Sequence, residues 1–450
     1  MRNNIPLPNC AITIIQILRQ QLTDPGFLGR HRRRAQDFTR ECALTFPVLM
    51  LLLLQKTLKS LQTHLHEFLW ELARGADARQ VGPGALTHAR AKLLPSAFVE
   101  LNEAVVLRTF YGRGHAAQVQ RWCGHRLLGI DSSLVRLPES QELRQFFGVV
   151  QCGNQHGNHE SFPEARGSVL YDLLNQLAVD ARLVSSTVPE TELACQHLDR
   201  LEEGDVAITD RGYSGYRWFV QVRHRERHFI SRCSRASFAI VQRLFARNEA
   251  GLSVIVTLRA PKEVRAECRQ RGWPLELPVR LVTIRLTTGE LEVLATSLLD
   301  ETAYPTEEFG AVYWRRWGHE TYYGKLKGRL DWEHFSGQTV EAVQQDFAAL
   351  ILLSNLESVV IRPAQAELAE RSQGRTQPVQ VNHAVSLHAI KSRLIELLAS
   401  SVPVEEVLTQ LTQWFVHNPT SVRPGRKVRR RKFSPSRSYH YQRRVRKIVF

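Results

Sequence analysis

The sequence predicts an α/β protein with helical flanks, and three observations carry the prediction. Residues 1–110 space apolar side chains at helical intervals, short runs rich in β-branched residues begin near 116, and helical spacing returns after Thr306. With 450 residues and 43% hydrophobic content the chain can bury several cores. The changes of texture divide it at 1–115, 116–225, 226–300, 301–370 and 371–450.

In the first division, residues 45–72 alternate apolar runs with Lys56, Lys59, His64 and Glu67, a helical pattern. The apolar run from Cys42 to Leu54 contains Pro47 and falls short of the roughly 20 residues that span a bilayer, so it reads as a buried helix and no membrane contact is expected. Two basic clusters lie on either side, Arg30-His31-Arg32-Arg33-Arg34 and the stretch from Ala85 to Lys92 after Gly82-Pro83-Gly84. They make a helical DNA-binding module plausible, although basic helix faces are also often only solvated.

Residues 126–131, 168–174 and 205–210 read as buried strands, and polar residues at such strand ends commonly line a site. Four strand-like segments follow at 229–234, 252–258, 279–286 and 290–297 with few helical signals between them, a β-rich insertion. Helical spacing then resumes at 313–330, 340–360 and 388–416.

The formal net charge is +16, and twelve Lys or Arg residues with no acid lie between Arg423 and Lys447, leaving +4 for residues 1–420. A polycation interleaved with Phe433, Tyr439 and Tyr441 suits nucleic acid, because neutralised phosphates release condensed counterions. A solvated tail or an acidic membrane surface would use the same charge. Seven scattered cysteines, odd in number and without a Cys-x-x-Cys pair, point to a reducing cytoplasm, as does the lack of a signal-peptide pattern. The expected setting is cytoplasmic, at the nucleoid.

Two carboxylates stand out by position. Asp131 interrupts an apolar run, where an unpaired charge costs several kcal/mol, about the penalty that demands a compensating partner. Asp210 closes another such run and precedes Arg211-Gly212-Tyr213, which places it beside a turn. Either Asp alone could equally pair with an Arg or cap a loop.

Glu320 belongs to a more specific pattern. At roughly 100° per residue of an unbroken helix, Tyr313, Arg316, Glu320 and Lys327 project within an arc of about 60°. An ordinary helix explains Arg316 with Glu320 four residues on, but not a phenol and a second cation on the same face. Carboxylate, two cations and phenol suit a metal-bound phosphate. Cys152, His156 and His159 have the spacing of zinc ligands without a fourth, and Asp172 is a reserve carboxylate on the second strand. No His follows His319-Glu320 at the metalloprotease spacing, and no phosphate-binding Gly-rich loop is present in the sequence.

Gly129-Ile130-Asp131-Ser132-Ser133, Asp210-Arg211-Gly212-Tyr213 and the Tyr–Arg–Glu–Lys helix together resemble the insertion-sequence transposases of the DDE superfamily, specifically the IS-four group. Thr296 to Asp300, Tyr313 to Trp317, and Phe38-Thr39-Arg40 with Leu44 and Phe46 extend the likeness. The resemblance implies an RNase H-like catalytic core, with Asp131 on its first strand, Asp210 at a later strand's end and Glu320 on a helix after the insertion. It further implies a DNA transposase, with Asp131, Asp210 and Glu320 as catalytic metal ligands for two Mg²⁺ ions, Mn²⁺ being able to substitute. Tyr313, Arg316 and Lys327 would contact phosphates, with Arg211 beside them. A dimer on paired terminal inverted repeats, target DNA as the second partner, and a Trp stacking on a flipped base, for which Trp273 is the insertion's only Trp, belong to the same expectation. Water would cut the element's ends and the freed 3′-hydroxyl would attack target DNA, in cut-and-paste fashion. An RNase H-like nuclease or resolvase without strand transfer, and an inactive DNA-binding regulator, are the alternatives.

Overall fold

A computed structural model of the chain describes residues 9–75, 80–153 and 159–422. The basic tail after Val422 lies outside the described residues, as do His156 and the side chains of Cys152 and His159. Two compact units divide the chain: Ala117–Leu134 with Arg166–Tyr323, and Met1–Ala116 with Val135–Ala165 and Gly324–Phe450, as far as these are described.

The strands in chain order are β1 (Leu127–Arg136), β2 (Val149–Gly153), β3 (His159–Asp172), β4 (Leu177–Ser185), β5 (Val206–Thr209), β6 (His228–Arg232), β7 (Ser253–Arg259), β8 (Glu276–Arg285) and β9 (Leu291–Thr296). They form one mixed sheet in the order β2-β3-β1-β5-β6-β9-β8-β7, with β4 also paired to β3. At its centre β1, β5 and β6 run parallel, Leu127 lying opposite Val206 and Val206 opposite His228. Parallel strands are covered on both faces, which is why Val206–Thr209 is apolar or small throughout and wholly buried. β9, β8 and β7 continue antiparallel from β6.

Alternation along β1 sorts its residues. Leu128 and Ile130 join Ala207, Phe229, Val279 and Phe219 in one core cluster. Gly129 and Asp131 therefore face the other way, toward the helix Trp317–Gly328. A Cβ on Gly129 would lie 3.0 Å from His319 Nδ1 and 3.1 Å from Leu173 Cδ2, so only glycine lets this helix approach the strand so closely.

Residues 226–300 contain more helix than expected. Ala239–Arg247 and Lys262–Arg271 are helical; the first spaces Ile240, Val241, Leu244 and Phe245 at helical intervals, whereas the second buries only Cys268 and so shows no period. All the strands of this segment belong to the main sheet. The helical stretch expected at 388–416 is three helices, His383–Ser392, Leu394–Ala399 and Val404–His417; Pro403, which has no N–H to continue a helix, separates the last from the second.

The other unit is largely helical. Phe46–Gln55 is buried from Leu49 onward, and Val340–Val360 is buried along nearly its whole length. Arg90 ties the end of the helix Pro83–Arg90 to Val340–Val360 and the turn before it: its guanidinium donates to Asp346 Oδ1 at 2.8 Å, Gln345 Oε1 at 2.9 Å and Ser336 Oγ at 2.6 Å. Among the described residues no single helix is long and apolar enough to cross a membrane; Val340–Val360 with Arg362–Arg371, bent by 46°, passes by length and composition only.

Candidate active site

Asp131 leaves the apolar half of β1 where its burial falls to intermediate. Its main-chain carbonyl accepts from the Tyr323 hydroxyl at 2.8 Å and from Ser168 Oγ at 3.3 Å. Its carboxylate accepts from the Ser132 N–H at 2.8 Å, the one hydrogen bond to that carboxylate among the described residues. Burial pushes the carboxyl up to about 6; the Ser132 N–H and Arg316 oppose that, and the negative charges of Glu190 and Asp210 add to it.

Asp210 directly follows β5 and caps the short turn Arg211–Tyr213, accepting the Arg211 N–H at 2.6 Å. The Tyr313 hydroxyl and Arg232 Nη1 each approach its Oδ1 to 3.5 Å. The Arg211 side chain is exposed and Tyr213 is buried.

The helix expected over 313–330 is broken in two, Glu308–Trp314 and Trp317–Gly328. At the break the chain makes i→i+3 bonds, Arg316 N–H to Tyr313 at 3.0 Å and His319 N–H to Arg316 at 2.9 Å. Such a tightened turn eclipses residues three apart, which sets the Arg316 guanidinium 5.7 Å from the Tyr313 ring centre. Arg316 Nη2 then donates to Glu320 Oε1 at 3.2 Å. Thus Tyr313, Arg316 and Glu320 still converge, although the uniform helical arc does not survive.

Arg316 is the shared cation of the site. Buried itself, it interacts electrostatically with Asp131, Asp210 and Glu320. The three carboxylates are spread about this charge instead of meeting at a point: among the described residues no three His, Cys, Asp or Glu side chains are close enough to hold one metal ion. Mutual repulsion keeps like charges apart, and a guanidinium with five donors can serve several of them.

Not every candidate joins this cluster. Lys327 belongs to the other unit, where its Nζ lies 3.4 Å from Glu333 and 5.7 Å from the Trp332 ring centre. Trp273 is 7% exposed and packed by His224 and Arg271, so as placed it offers no open face to a base. Asp172 is fully buried and spent on a turn, accepting from the N–H groups of Leu174 at 3.0 Å and Asn175 at 2.9 Å. Arg232, Tyr323 and Glu190 went unnoticed in the sequence because no spacing rule links them to the carboxylates. Arg232 closes the strand β6, and its charge could have been paired with Asp210 only by knowing that β5 and β6 are neighbours.

In the helical unit, the two basic clusters come together. Arg33, Arg34, His88 and Lys92 are exposed around one cleft of about 540 Å³. Arg33 is paired with Glu341 at 2.9 Å, whereas Arg34 and Lys92 have no ion pair among the described residues.

Asp131 lies midway along β1, Asp210 just beyond the end of its parallel neighbour β5, and Glu320 on the helix that Tyr323 ties to Asp131. The chain belongs to the Transposase DDE domain family, which it matches over residues 122–356, more than half its length. It is similar to Transposase InsG for insertion sequence element IS4 of Escherichia coli (strain K12), 24% identical over 330 residues that cover 71% of this chain and 69% of that relative. Among solved structures, the cryo-EM structure of the piggyBac transposase synaptic complex with hairpin DNA aligns with a TM-score of 0.42 and 8% identity, over 90% of this chain and 86% of that one.

Proposed function

We propose that this transposase cuts DNA at the ends of its element and transfers the 3′-hydroxyl so formed into target DNA, using Asp131, Asp210 and Glu320 to hold divalent cations. The observation that carries the reading is the placement of Asp131 on β1, Asp210 just after the parallel neighbour β5, and Glu320 on the helix tied to Asp131 through Tyr323, with Arg316 bonded to Glu320. An RNase H-like core is part of the proposal. It is supported by Asp131 on the central strand β1, Asp210 at the end of its parallel neighbour β5, and Glu320 on a helix that follows β7, β8 and β9.

The donor chemistry suits Mg²⁺ or Mn²⁺, although as placed no three of the described carboxylates are close enough to share one ion. The donors are oxygen alone, and Arg316 and the Ser132 N–H only partly offset the burial that holds the Asp131 carboxyl up at about 6. Such ions, when bound, provide Lewis-acid stabilisation of the phosphorane and lower the pKa of an attacking oxygen. Arg316 offsets the negative charge gathered around the scissile phosphate, and the Tyr313 hydroxyl orients Asp210 or a phosphate oxygen. Lys327 and the exposed Arg211 take flanking phosphates. The cleft of Arg33, Arg34, His88 and Lys92 binds the duplex backbone, with the tail after Val422 adding charge. Two copies on paired terminal repeats, acting at the nucleoid, complete the reading.

Glu320→Gln tests it. The variant should bind duplexes carrying the element's terminal repeats as the unaltered protein does while losing Mg²⁺-dependent nicking by at least about 100-fold, the scale of a lost transition-state contact. Undiminished nicking would overturn the site. Joining of a pre-cut, labelled end into a plasmid separates strand transfer from hydrolysis alone.

A further inference from the structure

Behind Asp131 lies a buried chain of polar groups that the proposed reaction does not use. Ser168 on β3, His197 at the end of the helix Glu190–His197, and Asp180 on β4 are 1%, 0% and 8% exposed. His197 Nδ1 lies 2.8 Å from Asp180 Oδ2, its Nε2 lies 2.9 Å from Ser168 Oγ, and Ser168 Oγ lies 3.3 Å from the carbonyl oxygen of Asp131. Asp180 is anchored in turn by Arg182 Nε at 3.0 Å. Burial alone would raise the Asp180 carboxyl, but the hydrogen bond and charge of His197, with Arg182 and Arg200, hold it below its ordinary value.

A Ser–His–Asp order brings nucleophilic catalysis to mind, and the surroundings exclude it. No substrate reaches a serine that is 1% exposed, and the hydroxyl points at a main-chain carbonyl. Hydrogen counting gives the arrangement a different task. An ionised Asp180 only accepts, and so does the Asp131 carbonyl. His197 meets Asp180 through Nδ1 and Ser168 through Nε2, and the Ser168 hydroxyl donates to the Asp131 carbonyl, so the three side chains form one connected line that ends on that carbonyl.

We propose that Asp180, His197 and Ser168 form a positioning relay that fixes the main chain at Asp131, and so aims its carboxylate for metal binding. This rests on Asp131 being a metal ligand in the proposed reaction. The relay enters from the sheet side and the Tyr323 hydroxyl from the helix side, so the carbonyl is held by two independent donors. Removing either donor frees a peptide plane that carries the metal ligand on its own residue, and a small misplacement there is costly.

Ser168→Ala, His197→Gln and Asp180→Asn are compared with Ser168→Thr, which keeps the hydroxyl. Leu193→Ala, buried one turn before His197 on the same helix, serves as a control that removes packing but keeps every hydrogen-bonding group of the relay. Two readouts are taken on the full chain: Mn²⁺ affinity by electron paramagnetic resonance, and single-turnover nicking of a bound terminal-repeat duplex. The three relay variants should each lose about tenfold in Mn²⁺ affinity and tenfold or more in nicking rate with unchanged duplex affinity, as expected for a lost supporting shell. Ser168→Thr should restore both, and Leu193→Ala should lower the melting temperature without moving either.

Relay variants that lose stability as the control does, yet keep Mn²⁺ affinity and nicking within twofold, would overturn the proposal. An unaltered protein that bound Mn²⁺ without nicking DNA would refute the nuclease reading while leaving the affinity comparison to decide the relay. Absence of Mn²⁺ binding would refute both.

Discussion

The Tyr323 hydroxyl donates to the main-chain carbonyl of Asp131 at 2.8 Å, tying the helix that carries Glu320 to the strand that carries Asp131. Tyr323 lies one helical turn beyond Glu320, so one phenol sets the spacing between two of the three candidate metal ligands. Tyr323→Phe keeps the ring stack on His319 and removes the hydroxyl's bonds, this tie and the bond to Gly167 among them. Loss of a buried hydrogen bond costs about 1 kcal/mol of stability. Nicking should fall about tenfold, by more than that stability loss explains at a temperature where the variant is fully folded. A rate unchanged from that of the unaltered protein would show that the tie does not set the site.

Gly129→Ala probes the same junction from the strand. The added methyl would meet His319 Nδ1 at 3.0 Å and Leu173 at 3.1 Å, so the helix must retreat by a few tenths of an ångström. Overpacking of this kind costs about 1–3 kcal/mol. Both melting temperature and nicking should drop, and Gly129→Ala combined with a smaller residue at His319 should recover stability better than it recovers nicking.

Asp131 makes the metal-free protein sensitive to pH. Its folded-state value of about 6 lies above the 3.8 of an unperturbed Asp, chiefly through burial. A carboxyl with a raised value stabilises the fold fully below pH 3.8, and that contribution disappears as pH rises through about 6. At pH 8 ionised Asp131 therefore costs the fold about 3 kcal/mol, an order-of-magnitude figure. Denaturant unfolding in chelator should find Asp131→Asn increasingly more stable than the unaltered protein between pH 4 and 8. A difference that stays flat over this range would contradict the assignment. Metal binding needs the ionised form, so Mn²⁺ affinity should weaken below about pH 6.

Glu357 behaves in the opposite sense. Fully buried, it accepts from Lys325 at 2.9 Å and His383 at 2.6 Å, and these partners overcome burial to hold its carboxyl at about 2. Its contribution is present above the ordinary value of 4.5 and is lost as pH falls through about 2. Glu357→Gln leaves Lys325 buried without its countercharge and should destabilise the protein by about 3–5 kcal/mol at neutral pH. The deficit relative to the unaltered chain should shrink as unfolding is measured from pH 4.5 toward pH 2. A pH-independent deficit would assign the loss to packing alone.

How far the site can be read from the chain differs residue by residue. The apolar runs ending at Asp131 and Asp210 announce buried strands, because a parallel strand covered on both faces must be apolar throughout, and the structure has β1 and β5 there. Tyr313, Arg316 and Glu320 are legible as a spacing, since residues three and four apart meet whether the turn is tight or regular. The break at Arg315 and Arg316 is not announced by a proline, and it is made by i→i+3 bonds, one of them donated by Gly318. The helix Ala239–Arg247 does space Ile240, Val241, Leu244 and Phe245 at helical intervals, but its nine residues are few beside the strand-like runs on either side.

What the sequence determined by itself is local: which runs are strands, which carboxylates interrupt apolar surroundings, and which four residues share a spacing that chemistry can use. Tertiary structure alone decided that Arg316 is shared by three carboxylates, that Arg232 stands beside Asp210, that Tyr323 and Ser168 hold the Asp131 carbonyl, and that Asp172 and Trp273 are occupied with packing. The physical reason is the range of the interactions. Periodicity and propensity act over one or two turns, whereas strand order, and with it the neighbours of every side chain at a strand's end, comes from pairing segments tens of residues apart.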